Sequence, residues 1–296
     1  MKTRNRDRGS GTRDRRSGPT TLDKPQYPRA RKRFGQHFLE RAWVDKLIAA
    51  LGTSPNDTFL EIGPGRGALT RALAPHVARI VAVEIDRDLA AALPAHAPAN
   101  VRVVTGDFLH IDLDELLRDE PRPVRVIGNL PYNVASPILF RLLHAVDHGR
   151  RFRDATLMLQ KEVADRLVAQ VGTAGYGALA IQVGLLADVD RLLTLPPGAF
   201  RPPPKVTSAV VRLRFRAPAA DAGDPATFER VVRGVFLQRR KTLLNAFRPV
   251  AESFGQDAAR LIGLAGIDGS RRPETLTLGE MARLVRLISA PTQGSR

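Results

Sequence analysis

Asn129, Leu130, Pro131 and Tyr132 follow an apolar run, Val124-Arg125-Val126-Ile127, across Gly128, and precede an apolar-periodic run from Ile138 to Leu143. The first run reads as a strand and the second as a helix, so the four residues occupy a strand exit. Pro131 has no backbone N–H and holds Leu130 out of the helical region. The Leu130 carbonyl is then free to face outward, beside the amide oxygen of Asn129 and the flat ring of Tyr132. Two acceptors and an aromatic plate suit a flat ligand that carries an amine.

A second set of residues points to the ligand's partner. Gly63-Pro64-Gly65-Arg66-Gly67 follows the run Thr58-Phe59-Leu60-Glu61-Ile62. The third glycine comes one residue too early for the dinucleotide fingerprint, and no Lys or Ser/Thr follows to make a triphosphate loop. Glu84 lies near the end of the next apolar run and Asp107 follows the third. A carboxylate after the second strand can accept from both hydroxyls of a ribose, and one after the third from an adenine amine. Glu61 would repel pyrophosphate but tolerate a ligand bearing an ammonium and a sulfonium. This chemistry favours S-adenosylmethionine over a nicotinamide dinucleotide.

These residues need a scaffold that brings them together. Strands over 58–62, 79–86, 101–104, 124–127 and 155–160 alternate with helical patterns. That alternation predicts an α/β fold, a parallel sheet with helices on both faces. Such sheets bind ligands beyond the strand C-termini, where Glu61, Gly63, Glu84, Asp107 and Asn129 all fall. Two further strands, 189–195 and 208–215, flank a Pro-rich loop at 196–205 and are expected to finish the sheet antiparallel. An Ala/Asp/Gly/Pro stretch at 217–225 marks a boundary, and four helical patterns follow it. Arg230, Arg233, Arg239, Arg240, Lys241 and Arg248 make the first half of that region basic. The expected organisation is a basic tail at 1–30, a sheet domain at 31–216 and a small helical domain at 217–296.

The formal charge of +16 on 296 residues points to a polyanionic partner, with nucleic acid ahead of membrane. Through Arg33 there are twelve Lys/Arg against three Asp, over half of that charge. A segment so poor in apolar residues cannot order itself, and it reads as a solvated tail or an arm for phosphates. The chain has no cysteine, which excludes disulfides and thiolate metal centres. No metal site is expected. No apolar run approaches the roughly 20 residues of a membrane span, and the tail lacks the apolar segment of a signal peptide. An intracellular, membrane-free protein is expected.

Taken together, Arg33-Phe34-Gly35-Gln36-His37-Phe38-Leu39, Glu61-Ile62-Gly63-Pro64-Gly65, Glu84-Ile85-Asp86, Gly106-Asp107, Asn129-Leu130-Pro131-Tyr132 and Phe200-Arg201-Pro202-Pro203-Pro204-Lys205-Val206 resemble the rRNA adenine dimethyltransferases. The resemblance spans about residues 31 to 290. Within that family, Met158 to Val163, Tyr176-Gly177, Pro202 to Leu213 and Phe236 to Leu243 look like the type that modifies small-subunit (16S) rRNA.

The resemblance implies a Rossmann-like class I methyltransferase domain, S-adenosylmethionine as methyl donor, and a helical rRNA-binding domain. The implied reaction is dimethylation of two adjacent adenosines in a hairpin loop near the 3′ end of 16S rRNA, by a cytoplasmic monomer during small-subunit biogenesis. It also implies roles for particular residues. Asn129 Oδ1 and the Leu130 carbonyl would accept the two amine hydrogens of a flipped adenine, with Tyr132 and Phe200 on its two faces. His37, Leu39, Gly63, Glu84, Asp107 and Asn129 would contact the cofactor, His37 standing where many members have Asn. Two alternatives belong beside this reading. One is a 23S rRNA methyltransferase conferring macrolide resistance, and the other is a mainly non-catalytic ribosome-assembly checkpoint.

Overall fold

The computed structural model describes residues 37–290 apart from 148, 150 and 151. The expected basic tail and the Arg33–Gln36 part of the first motif lie outside the described residues. The strands are β1 (Phe38–Leu39), β2 (Thr58–Ile62), β3 (Arg79–Glu84), β4 (Val101–Thr105), β5 (Val124–Asn129), β6 (Phe152–Gln160), β7 (Ala187–Leu195), β8 (Phe200–Arg201) and β9 (Ser208–Phe215). The helices are α1 (Arg41–Leu51), α2 (Ala68–Leu73), α3 (Arg87–Ala92), α4 (Leu113–Leu116), α5 (Ala135–Asp147), α6 (Lys161–Leu167), α7 (Ala178–Leu186), α8 (Pro225–Leu237), α9 (Leu243–Glu252), α10 (Ala258–Leu264) and α11 (Leu278–Ser289).

Seven strands form one sheet in the order β4-β3-β2-β5-β6-β9-β7. The first five are parallel, and β9 runs antiparallel to both β6 and β7. The expected antiparallel finish is therefore present. Strand order reverses between β2 and β5, the switch point at which open α/β sheets bind ligands.

Side-chain alternation splits the sheet between two cores. Leu60, Ile62, Val81 and Val83 face the core that includes Leu139 and Leu142 of α5. Phe59, Ile80 and Ala82 face the opposite core with Val44 and Leu47 of α1 and Leu69 and Leu73 of α2. Burying each such side chain stabilises the fold by roughly 1.5–3 kcal/mol.

Arg125 in β5 interrupts an apolar run, yet it is 1% exposed. Its five N–H groups all have partners: both Asp154 oxygens, Asp57 Oδ2 and the carbonyls of Leu51 and Gly52. The guanidinium thus ties the end of α1 and the start of β2 to the central strands.

A third core joins α8 to α11, but it does not stop at the boundary expected at 217. Tyr176, Ala180 and Ile181 contribute to it, while Val183 and Leu186 of the same α7 face the sheet. That sharing explains why α7 is apolar around most of its circumference. The Tyr176 hydroxyl donates to the Leu276 carbonyl at 3.1 Å. Helix α9 runs through Pro249, with Val250 and Ala251 buried beyond it.

Candidate active site

Because β2, β3, β4 and β5 are parallel, their C-terminal ends open on one edge of the sheet. A cavity lies there. Its walls include His37, Leu39, Glu61, Gly63, Glu84, Asp107, Asn129, Leu130 and Tyr132. Every sequence-expected site residue except Phe200 is brought together.

The Gly loop owes its shape to backbone angles. Gly63, Gly65 and Gly67 have φ of +67°, +58° and +72°, a region that L side chains rarely adopt. At Gly65 a side chain would also begin 3.1 Å from the Phe38 ring. The Gly65 N–H donates to Glu84 Oε2 at 2.8 Å, and the Asp86 N–H donates to Oε1 at 2.9 Å. Glu84 therefore staples the loop after β2 to the turn after β3. Burial holds the Glu84 carboxyl above its usual range.

Glu61 is 1% exposed, and its Oε2 has no partner among the described residues. Burial, reinforced by the charge of Glu84, lifts its pKa to about 7. Asp107 accepts from the Leu109 N–H at 2.9 Å and pairs with His110 Nδ1 at 2.9 Å.

The strand-exit loop is held from outside itself. Asn129 Nδ2 donates to the His37 carbonyl at 2.7 Å. That bond assigns the amide orientation and leaves Oδ1 as the end turned elsewhere. Among the described residues nothing donates to the Leu130 carbonyl. The Tyr132 hydroxyl meets Ser208 Oγ at 2.6 Å. The His37 ring lies 6.0 Å from the Tyr132 ring, tilted by 27°, and its Nδ1 meets the Pro202 carbonyl at 2.8 Å. Asn129, Leu130 and Tyr132 line the same cavity.

Phe200, expected on the second face of a bound base, does not line the cavity. It is 1% exposed and packs with Leu39, Val44 and Leu47. The cause is a two-stranded ribbon in which β1 pairs antiparallel with β8, setting Leu39 opposite Phe200.

Other residues escaped the sequence reading. Ile85 stands 47% exposed in the cavity wall beside Glu84, where an apolar side chain suits the face of a base. A second cleft of about 770 Å³ lies between the sheet and the helical domain, with Phe140, Arg166, Gln182, Arg233, Phe236 and Arg239 in its walls. Its residues come from α5, α6, α7, α8 and the turns beside α7 and α8, so no local pattern announces it.

This fold, with a Gly loop, strand-end acids and an Asn-Leu-Pro-Tyr exit sharing one cavity, is that of the Rossmann-like methyltransferases. The family model for ribosomal RNA adenine dimethylase matches residues 28–289, and the chain belongs to that family. It is 46% identical over 262 residues to a ribosomal RNA small subunit methyltransferase A of Syntrophotalea carbinolica, covering 88% of this chain and 97% of the relative. Against the protein of the same name from Pseudomonas syringae pv. tomato it is 44% identical over 265 residues, covering 88% and 95%. Among solved structures, it is similar to a dimethyladenosine transferase from Plasmodium falciparum, with TM-score 0.68, 26% identity and coverage of 84% and 96%. It is also similar to the 23S rRNA methyltransferase ErmE, with TM-score 0.60, 25% identity and coverage of 86% and 100%. The chain is thus an S-adenosylmethionine-dependent methyltransferase by family and fold. Among the described residues no helix is long and apolar enough to cross a membrane.

Proposed function

We propose that this protein dimethylates the exocyclic amines of two adjacent adenosines in a hairpin loop near the 3′ end of 16S rRNA, acting as a cytoplasmic monomer on the small subunit or its precursor. The observation that carries the reading is Asn129, whose amide is oriented by the His37 carbonyl at the mouth of the cofactor cavity.

The residues fit the methyl donor. A buried carboxylate with an orphaned oxygen, Glu61, suits a cationic ligand. Glu84 suits the ribose hydroxyls, Asp107 the adenine amine, and Gly63 allows close backbone approach, since nothing lies within 4 Å of its missing Cβ. His37 and Leu39 wall the cavity from the β1 side. When bound, S-adenosylmethionine supplies an electrophilic methyl whose leaving group is a neutral thioether.

The chain's own residues supply position. A target adenine must leave its stack to be reached. Tyr132 carries its face, while Asn129 Oδ1 and the Leu130 carbonyl accept its amine hydrogens and so aim the nitrogen lone pair. Catalysis by such placement needs no strong base, because proton loss follows transfer. The second methylation binds an amine with one hydrogen fewer, so one of the two acceptors goes unused. The cleft between the domains, with Arg166, Arg233 and Arg239, suits the RNA backbone, and residues 217–296 act as the RNA-binding domain.

Glu61 makes ligand binding depend on pH. Its folded pKa lies above the usual 4.5, so the native state keeps a proton that the unfolded chain loses. Stability of the free protein therefore falls as pH rises from about 4.5 to about 7, by on the order of 3 kcal/mol. A cationic ligand favours the ionised form, so S-adenosylmethionine affinity rises over the upper part of that window with proton release. Calorimetry in buffers of different ionisation enthalpy checks this, and an uptake of protons on binding would contradict it.

One assay tests the function. Labelled S-adenosylmethionine is incubated with small subunits lacking the modification, and with large subunits, and the label is mapped. Dimethyladenosine at two neighbouring positions of 16S rRNA is the expected product. Label confined to 23S rRNA, or tight subunit binding with no label, overturns the proposal.

A further inference from the structure

Tyr132 carries a base by its face, and a plate is only as useful as its plane is steady. The loop alone does not secure it, because a Tyr side chain turns about two torsions. The far end of the ring is held from another part of the chain: the hydroxyl meets Ser208 Oγ at 2.6 Å, across 76 positions of sequence.

Ser208 is well suited to hold it. It is 1% exposed and opens β9, opposite Gln160 of β6 and Leu195 of β7, so its backbone is anchored on both sides. The preceding residue is anchored too, since the Thr207 carbonyl accepts from the Lys161 N–H at 2.9 Å. The loop from Phe200 to Thr207 leads directly into Ser208. That loop also touches the site at the Pro202 carbonyl, which meets His37 Nδ1 at 2.8 Å.

We propose that Ser208 is a positioning residue for methyl transfer, which fixes the plane of the Tyr132 ring through the phenol and so sets the attitude of the stacked adenine. The inference rests on the adenine-methylating reading above. Ser208 touches neither base nor methyl donor, so its removal affects the rate of transfer and leaves both affinities in place.

The test is a double-mutant cycle of Ser208→Ala, Tyr132→Phe and the pair, each assayed on unmodified small subunits under single-turnover conditions. Each single change lowers the transfer rate roughly 5- to 30-fold, the scale of one lost hydrogen bond. The double variant is no slower than the singles, because both remove the same bond. S-adenosylmethionine affinity and the subunit concentration for half-maximal rate change less than threefold. A Ser208→Ala rate equal to wild type overturns the proposal, as do losses that multiply in the pair. If Ser208→Ala is unstable, Tyr132→Phe still decides, since full activity without the phenol means the bond does not position the ring. Wild type that transfers nothing to small subunits overturns the adenine reading itself; wild type that is active beside an unimpaired Ser208→Ala overturns only the positioning role.

Discussion

Replacing Asn129 by alanine is expected to lower methyl transfer by about 10²- to 10³-fold while S-adenosylmethionine affinity changes only a few-fold. The rate estimate follows the cost of deleting one preorganised group aimed at the reacting atom. Asn129 ends β5, and its side chain has two distinct ends. Nδ2 is committed to the His37 carbonyl, so Oδ1 is the end available to a substrate amine. Alanine removes both. The amine then enters with one acceptor, the Leu130 carbonyl, and its lone pair is no longer aimed. Single-turnover kinetics with titration calorimetry separate rate from affinity. Near-normal turnover would refute the acceptor role.

The second large effect is expected on cofactor binding. Glu84→Gln should weaken S-adenosylmethionine binding about 100-fold or more. The carboxylate accepts from the Gly65 and Asp86 N–H groups, one on each oxygen. An amide has one acceptor and one donor end, so in either orientation an N–H faces an N–H. The Gly loop or the turn into α3 loses its partner, at roughly 1–3 kcal/mol, and the charge-assisted bonds to the ribose weaken as well. Calorimetry gives the affinity, and a urea titration shows whether the fold survives. An affinity within threefold of wild type would remove Glu84 from the ribose site.

Several features of the fold and of the cavity are legible in the sequence. Local rules reach far when a residue's role depends on its neighbours in sequence. Glycine at 63, 65 and 67 meets a left-handed backbone, Pro131 shapes the residue before it, and acids at strand ends fall together once the strands are parallel. The antiparallel close of the sheet was equally readable, because two alternating runs flank a Pro-rich loop.

What alternation cannot register is the pairing of distant segments. Phe200 reads as a loop aromatic beside a recognisable motif. Only its antiparallel pairing with Leu39 turns it into the core, a consequence of contacts between segments 161 positions apart. Arg125 reads as an oddity in a strand until Asp57 and Asp154 are found around it.

The amino-acid sequence by itself determined the family, the α/β scaffold and the identity of the methyl donor, because each is written in short-range spacing that constrains the backbone directly. Tertiary structure alone decided which way the Asn129 amide points, that Phe200 is buried opposite Leu39, and what holds Tyr132. Each of those depends on a hydrogen bond or a packing contact between residues from 76 to 161 positions apart. Such contacts exist only after the sheet has assembled, and no local periodicity specifies them.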